Sequence, residues 1–303
     1  MHINSENDLL ETTLELAEGG YAEAYQFLTE TYEKSPERYG PQVLYFLSCL
    51  AGGLGRCEEA FVWLRRAILH NGWWYRPEAL DDEDFHLIKN HPDFIRLKSL
   101  SDARYATAVS TAKAVFSWKK KTAENLFMAV HGNTQNAQTA RKDWQSILRG
   151  NERWQLETVQ SAEPDGFGTY RWRYDRVSYL PIAHALQAMQ HEKYQKIACG
   201  GFSAGCDMVL RMMTFSPVSC DLLVLQSPWL PILEDDADAL ICALRQKKPA
   251  LRIFCGADDA DCLPMAQQLY AWTNQAGLDT QLVVQEDTRH QFPAELYALD
   301  DLI

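Results

Sequence analysis

The stretch "ACGGFSAGCDMVL", residues 198–210, decides the fold. Its apolar lead-in "KIACGGF" reads as a buried strand and "AGCDMVLRMM" as a helix, so Ser203 falls on the corner between them. In a G-x-S-x-G pattern the chain turns so sharply that the serine takes a strained conformation. Gly201 and Gly205 are small because side chains there would collide across the turn. The strain lifts Oγ clear of the sheet, and the helix that follows aims its first N–H groups at the place where a tetrahedral oxyanion forms during acyl transfer. With 16 glycines among 303 residues, random placement yields about 0.04 such matches. The plainer alternative is a tight turn without chemistry, and partner residues elsewhere in the chain decide between the two.

Outward from the corner, residues 106–303 alternate strands with helices. The order reads strand "AKAVFSW", turn "KKKTAEN", strand "LFMAV", loop "HGNTQN", helix "AQTARKDWQSIL" and strand "RWQLETVQ". A long loop at 161–176 leads to helix "VSYLPIAHALQAMQHE", the Ser203 strand and helix, and strand "CDLLVLQ". Strand "LRIFC", loop "GADDADCLP", helix "MAQQLYAWTNQAG", strand "TQLVVQ" and loop "EDTRHQF" close the chain. Such alternation predicts a mostly parallel sheet with helices on both faces, and a site at the carboxyl ends of the strands. Two candidate partners for Ser203 sit just past such ends: His290 after "TQLVVQ", and the aspartates 258, 259 and 261 after "LRIFC". The run Lys119–Lys121 reads as a solvated hairpin turn.

Four motifs in order, "HGNTQN", "GGFSAG", "GADDADCLP" and "DTRHQFP", resemble those of α/β hydrolases of the esterase and dienelactone-hydrolase-like group. The resemblance covers about the last two thirds of the chain; it is specific for the fold and silent on substrate. It implies a serine hydrolase in which Ser203 attacks an acyl carbon, His290 takes and returns the proton, and a loop aspartate orients His290. In that family the acid stands three residues after the loop glycine, which selects Asp259; the following proline is displaced by one, at Pro264, and keeps Asp261 as the alternative. "HGN" matches the oxyanion loop, with a structural histidine. The resemblance therefore assigns the backbone N–H groups of Ala204 and Asn133 as donors, Thr134 being a further candidate. Phe167, Tyr170, Trp172 and Tyr174 in the 161–176 loop and Trp229 in "QSPWLP" are candidates to line a substrate pocket, or else pack on the sheet rim or on the helical layer.

The first part, residues 1–105, is helical in pattern from residue 8 onward and contains an internal repeat. At an offset of 36 residues Gly19 matches Gly55, Ala24 matches Ala60, Phe27 matches Trp63 and Leu28 matches Leu64. A glycine at the turn and a small alanine where helices touch resemble the tetratricopeptide repeat, in about two copies. So short an array is expected to dock on the second part and to narrow the site, favouring small or extended substrates. The repeats serve either as a plain helical cap or as a face for a protein or peptide partner, and "NGWWYRPEAL", residues 71–80, is the place to look for a ligand face.

Composition bounds the rest. A chain that is 47% hydrophobic and 23% charged is globular, and a net charge of −12 disfavours nucleic acid and anionic membrane as partners. "MHINSENDLLETT" has neither the basic start nor the apolar run of a signal peptide, so a cytoplasmic location is expected. The cysteines at 49, 57, 199, 206, 220, 242, 255 and 262 include no C-x-x-C pair and read as small buried hydrophobes. No metal or cofactor is expected: His131 has no second ligand at suitable spacing, and "GGFSAG" lacks the third glycine of a dinucleotide site. The expected activity is carboxylic ester hydrolysis on a small acyl substrate. A thioesterase or small peptidase with the same triad, and a non-catalytic interaction protein, are the alternatives.

Overall fold

The strand sequence "NLFMAV" is apolar at almost every position, as a strand covered on both faces must be. In the computed structural model it is β2, Asn125–Val130, and every residue of it is buried. Residues 6–148, 151–175, 177–292 and 302 are described; the opening residues 1–5 and Pro293 of "DTRHQFP" lie outside them. The chain divides into two compact units, Met1–Ala112 with Pro164–Phe167, and Lys113–Glu163 with Gly168–Ile303.

The first unit is helical. Helices α1 Glu6–Gly19, α2 Tyr21–Lys34, α3 Pro41–Gly53 and α4 Cys57–Arg65 form two successive antiparallel pairs, and α4 continues through a π-helical turn to His70. Helix α5, Pro92–Thr111, follows; like α3 it begins with proline, whose missing N–H costs nothing in a first turn. The repeat is visible in the packing: Ala24, Leu28, Ala60 and Leu64 are all fully buried. Trp63 lies edge-on to Tyr32 and donates its indole N–H to the Tyr25 hydroxyl at 2.9 Å. Residues 73–75 are extended rather than helical. Tyr75 is buried and bridges Gly166, while Trp73 and Trp74 both pack against Phe167, so most of the aromatic run is consumed within this unit.

The second unit contains β1 Val115–Phe116, β2, α6 Ala137–Leu148, β3 Trp154–Gln160, β5 Thr169–Arg171 and α7 Leu180–Gln190, while β4, Glu163–Gly166, falls almost wholly in the stretch assigned to the first unit. It continues with β6 Ile197–Phe202, α8 Ala204–Phe215, β7 Leu222–Gln226, α9 Ile232–Asp235, α10 Ala237–Lys247, β8 Ala250–Gly256, α11 Cys262–Gln275 and β9 Thr280–Gln285. A seven-stranded sheet has the order β1-β3-β2-β6-β7-β8-β9; β1 is antiparallel to β3 and every other pair is parallel. Strand alternation sends Leu126, Met128 and Val130 to the face covered by α7, α8, α10 and α11, and Phe127 and Ala129 to the face where Trp144 of α6 packs.

Three expectations need correction. Because β1 pairs with β3 and not with β2, Lys119–Lys121 is a connection across the sheet edge rather than a hairpin turn. The 161–176 stretch is not all loop, since it holds β4 and β5. Helix α10 lies in a stretch whose pattern predicts no helix; it ends without glycine, Lys248 itself taking the left-handed conformation at φ 50°. Among the described residues no helix is long and apolar enough to cross a membrane.

Candidate active site

Strand β6 ends at Phe202, α8 begins at Ala204, and Ser203 between them has φ 51°. A non-glycine residue there stores roughly 1–3 kcal/mol of strain, which the surroundings must hold. They do so by close approach: a Cβ on Gly201 would fall 2.6 Å from the Cys206 nitrogen, and one on Gly205 would fall 2.6 Å from the His131 carbonyl oxygen. The Ser203 N–H donates to the Gln226 carbonyl at 3.0 Å, tying the corner to the end of β7.

The loops after β8 and β9 meet beside it. A Cβ on Gly256 would strike the Thr288 carbonyl, so the absence of a side chain at that position lets the two loops run in contact, and the Asp258 N–H donates to the same carbonyl at 2.9 Å. His290 thereby lies with Nε2 3.0 Å from Ser203 Oγ and Nδ1 2.9 Å from Asp259 Oδ2. The other Asp259 oxygen accepts the Cys262 N–H at 3.1 Å, and the carboxylate is buried. Burial alone would raise its pKa, but the hydrogen bond to His290, the histidine's charge and the Cys262 N–H outweigh it and hold the carboxyl below its usual value. Asp258 and Asp261 are exposed, and Asp261 merely precedes α11. The Cys262 thiol lies 3.4 Å from Nδ1 of His290, where burial raises its pKa and keeps it neutral.

The "HGN" loop packs on the same corner. A Cβ on Gly132 would sit 3.3 Å from the Ser203 Cβ, so Asn133 follows directly beside the serine. Ala204 is the first residue of α8, and its N–H has no intrahelical acceptor. His131 is fully buried: Nδ1 donates to the Gly132 carbonyl at 2.7 Å, Nε2 accepts the Ser161 N–H at 3.1 Å, and burial pushes its pKa down to about 4. It therefore braces the loop as a neutral imidazole. Thr134 takes φ 60° and its hydroxyl donates to the Asn133 carbonyl.

Of the two tryptophans considered for the pocket, Trp229 is half-buried and its N–H approaches the Ser203 carbonyl at 3.4 Å. Trp172 is only 2% exposed; its indole N–H donates to the His131 carbonyl at 2.7 Å and its ring lies against that histidine. It is a support of the loop rather than a wall open to substrate. Sequence reasoning also missed two supports. Gln226 donates from Nε2 to Gln285 Oε1 at 3.1 Å, linking β7 to β9 across β8. Asp207, one turn into α8, is buried and accepts from Arg211 Nε at 2.6 Å and from the Ile232 N–H at 2.8 Å; burial pushes it up to about 6 against the pull of Arg211. An i, i+4 Asp–Arg pair usually marks a solvated helix face, so nothing in its spacing marked this one as buried.

Comparison with known proteins agrees with this architecture. A solved structure of an uncharacterised protein from Bacillus cereus superposes with a TM-score of 0.50 at 24% identity, covering 96% of this chain and 94% of that one. The chain has the α/β-hydrolase fold. Residues 5–109 match the family model of an A/B hydrolase-like, N-terminal domain, so the helical unit is of a kind found with such hydrolases. More distant likenesses include the esterase PE8, at 14% identity and TM-score 0.47 over 61% of this chain and 92% of that one. Zea mays acyl-protein thioesterase 2 is another, at 16% identity and TM-score 0.45 over 61% and 94%. Compared by sequence with curated proteins, the chain has no match.

Proposed function

We propose that this α/β hydrolase is a serine hydrolase that cleaves a carboxylic ester of a small acyl substrate through an acyl-enzyme. The observation that carries the reading is the unbroken chain Ser203 Oγ, His290 Nε2, His290 Nδ1, Asp259 Oδ2, with links of 3.0 and 2.9 Å. Ser203 Oγ attacks the acyl carbon while His290 Nε2 takes its proton, and Asp259 stabilises the imidazolium without itself being protonated. The N–H groups of Ala204 and Asn133 receive the negative charge on the former carbonyl oxygen. Collapse of the intermediate expels the alcohol, protonated by His290. Water then repeats the sequence on the acyl-serine and releases the acid.

The same groups serve thioester hydrolysis, so substrate comparison separates the two. Eight free cysteines fit a reducing compartment, which supports a cytoplasmic placement. The test is labelling by a fluorophosphonate, then turnover of p-nitrophenyl esters of graded chain length beside acyl-thioesters. Wild type should label and Ser203→Ala should not, with ester turnover falling by about 10⁴-fold or more in the variant. A wild type that neither labels nor turns over any of these substrates would move the reading to an interaction protein built on a hydrolase scaffold.

A further inference from the structure

One hydroxyl held by the loop next to the serine has a proton with no acceptor among the described residues. Asn133 Oδ1 accepts the Trp172 backbone N–H at 2.8 Å, which fixes the orientation of its amide: the oxygen faces Trp172 and Nδ2 faces the other way. Nδ2 then donates to the Tyr174 hydroxyl at 3.1 Å. An amide nitrogen can only donate, so Tyr174 Oη is the acceptor in that bond and its own proton points elsewhere. No acceptor for that proton is found among the described residues.

Asn133 locates the hydroxyl. Asn133 follows Gly132, whose missing Cβ would lie 3.3 Å from that of Ser203. Asp207 and Cys262 both act electrostatically on Tyr174; the first lies one turn beyond the serine, and the second touches His290 at 3.4 Å. Tyr174 is half-buried, packed against the core on one side and open on the other. Burial pushes its pKa up to about 12, so the proton is present throughout the neutral range.

We infer that Tyr174 is a catalytic residue: its hydroxyl donates to the substrate's reacting carbonyl oxygen, as a side-chain donor alongside the backbone N–H groups of Ala204 and Asn133. Asn133 has a double part, its backbone facing the oxyanion and its side chain turning the Tyr174 proton outward. Because the bond strengthens as the oxygen gains charge, it acts on the transition state more than on bound substrate.

The inference rests on Ser203 as nucleophile, and the experiment separates the two. Tyr174→Phe, Asn133→Ala and the double variant are assayed on an ester that wild type turns over, with Ser203→Ala alongside and thermal melting to verify folding. Tyr174→Phe should lower kcat/KM by about 10- to 100-fold, mainly in kcat, and by a smaller but still measurable factor in the Asn133→Ala background, where the orienting donor is gone. An unchanged kcat/KM overturns the inference, as does a loss that vanishes once the Asn133 side chain is gone, since Tyr174 would then only hold that loop. If Asn133→Ala fails to fold, fluorinated tyrosines at 174 replace it. Rates should follow the acidity of the phenol, and a flat response overturns the inference. An active Ser203→Ala sinks the serine-hydrolase reading itself, whereas an inactive one beside a fully active Tyr174→Phe sinks only the role of Tyr174.

Discussion

Glycine does different work at the helix-helix turns of residues 20 and 55 and at the Ser203 corner. In the helical unit Gly20 and Gly55 stand at helix-helix turns with φ of 142° and 71°, and a Cβ would find open space at the first and an ordinary 3.7 Å contact at the second. There the residue is needed for its backbone angle. In and around the Ser203 corner Gly201, Gly205 and Gly256 have no such angle; what they lack is room, because backbone atoms occupy the place of the side chain. The positive φ at the corner belongs to Ser203 instead. One kind of glycine spares the chain strain, and the other lets neighbouring backbone close in until strain at the serine is held.

The comparison breaks first at Gly205. If closeness is what the corner needs, Gly205→Ala must push the His131 carbonyl away or shift α8. Fluorophosphonate labelling should fall by at least about 100-fold, with a stability loss of about 3 kcal/mol in denaturant titration. A variant that labels at the wild-type rate would mean that the corner tolerates the extra atom and that closeness does not hold the serine.

Crowding at the corner has an electrostatic consequence, second in size. With the "HGN" loop pressed onto α8, His131 is sealed from water and its pKa lies near 4, against about 6.5 in the unfolded chain. Between those values the unfolded state binds the extra proton, so stability is full above pH 6.5 and declines as pH falls towards 4. At about 1.4 kcal/mol per pKa unit, His131 accounts for about 3 kcal/mol of acid destabilisation between pH 7 and 4. His131→Gln, weaker at pH 7 for loss of one brace, should show a correspondingly shallower decline over that interval. An unchanged slope would show that His131 is not the group responsible.

How much of this was legible follows the same division. Local rules read well: the apolar run Asn125–Val130, the helix Ala137–Leu148 and the glycine-flanked corner at Ser203 all declare themselves by pattern. Partnerships between distant segments do not. Val115–Phe116 is a two-residue strand exposed on both sides, and nothing in it says that β3 rather than β2 is its neighbour. Three aspartates crowd the loop after β8, and burial sets Asp259 apart from the exposed Asp258 and Asp261. Sequence carries no period for burial inside a loop. Trp172 illustrates the same limit, since an aromatic in a loop reads equally as pocket wall or as buried strut.

The smallest expected effect sharpens the other side of the comparison. Gly55→Ala introduces a side chain where there is space but where φ is 71°, so the cost is the left-handed conformation alone, about 1 kcal/mol. The helical unit has its own buried core, from Leu9 to Leu97, and the substitution touches none of the residues around Ser203. Melting should drop by a few degrees while labelling and ester turnover stay at wild-type levels. Gly55→Asn offers the control within the same site, because asparagine tolerates the left-handed region better than alanine and should recover part of the loss. Equal destabilisation by both would mean that something other than φ constrains position 55, and the distinction between glycines of angle and glycines of space would then fail at the turn where it is simplest.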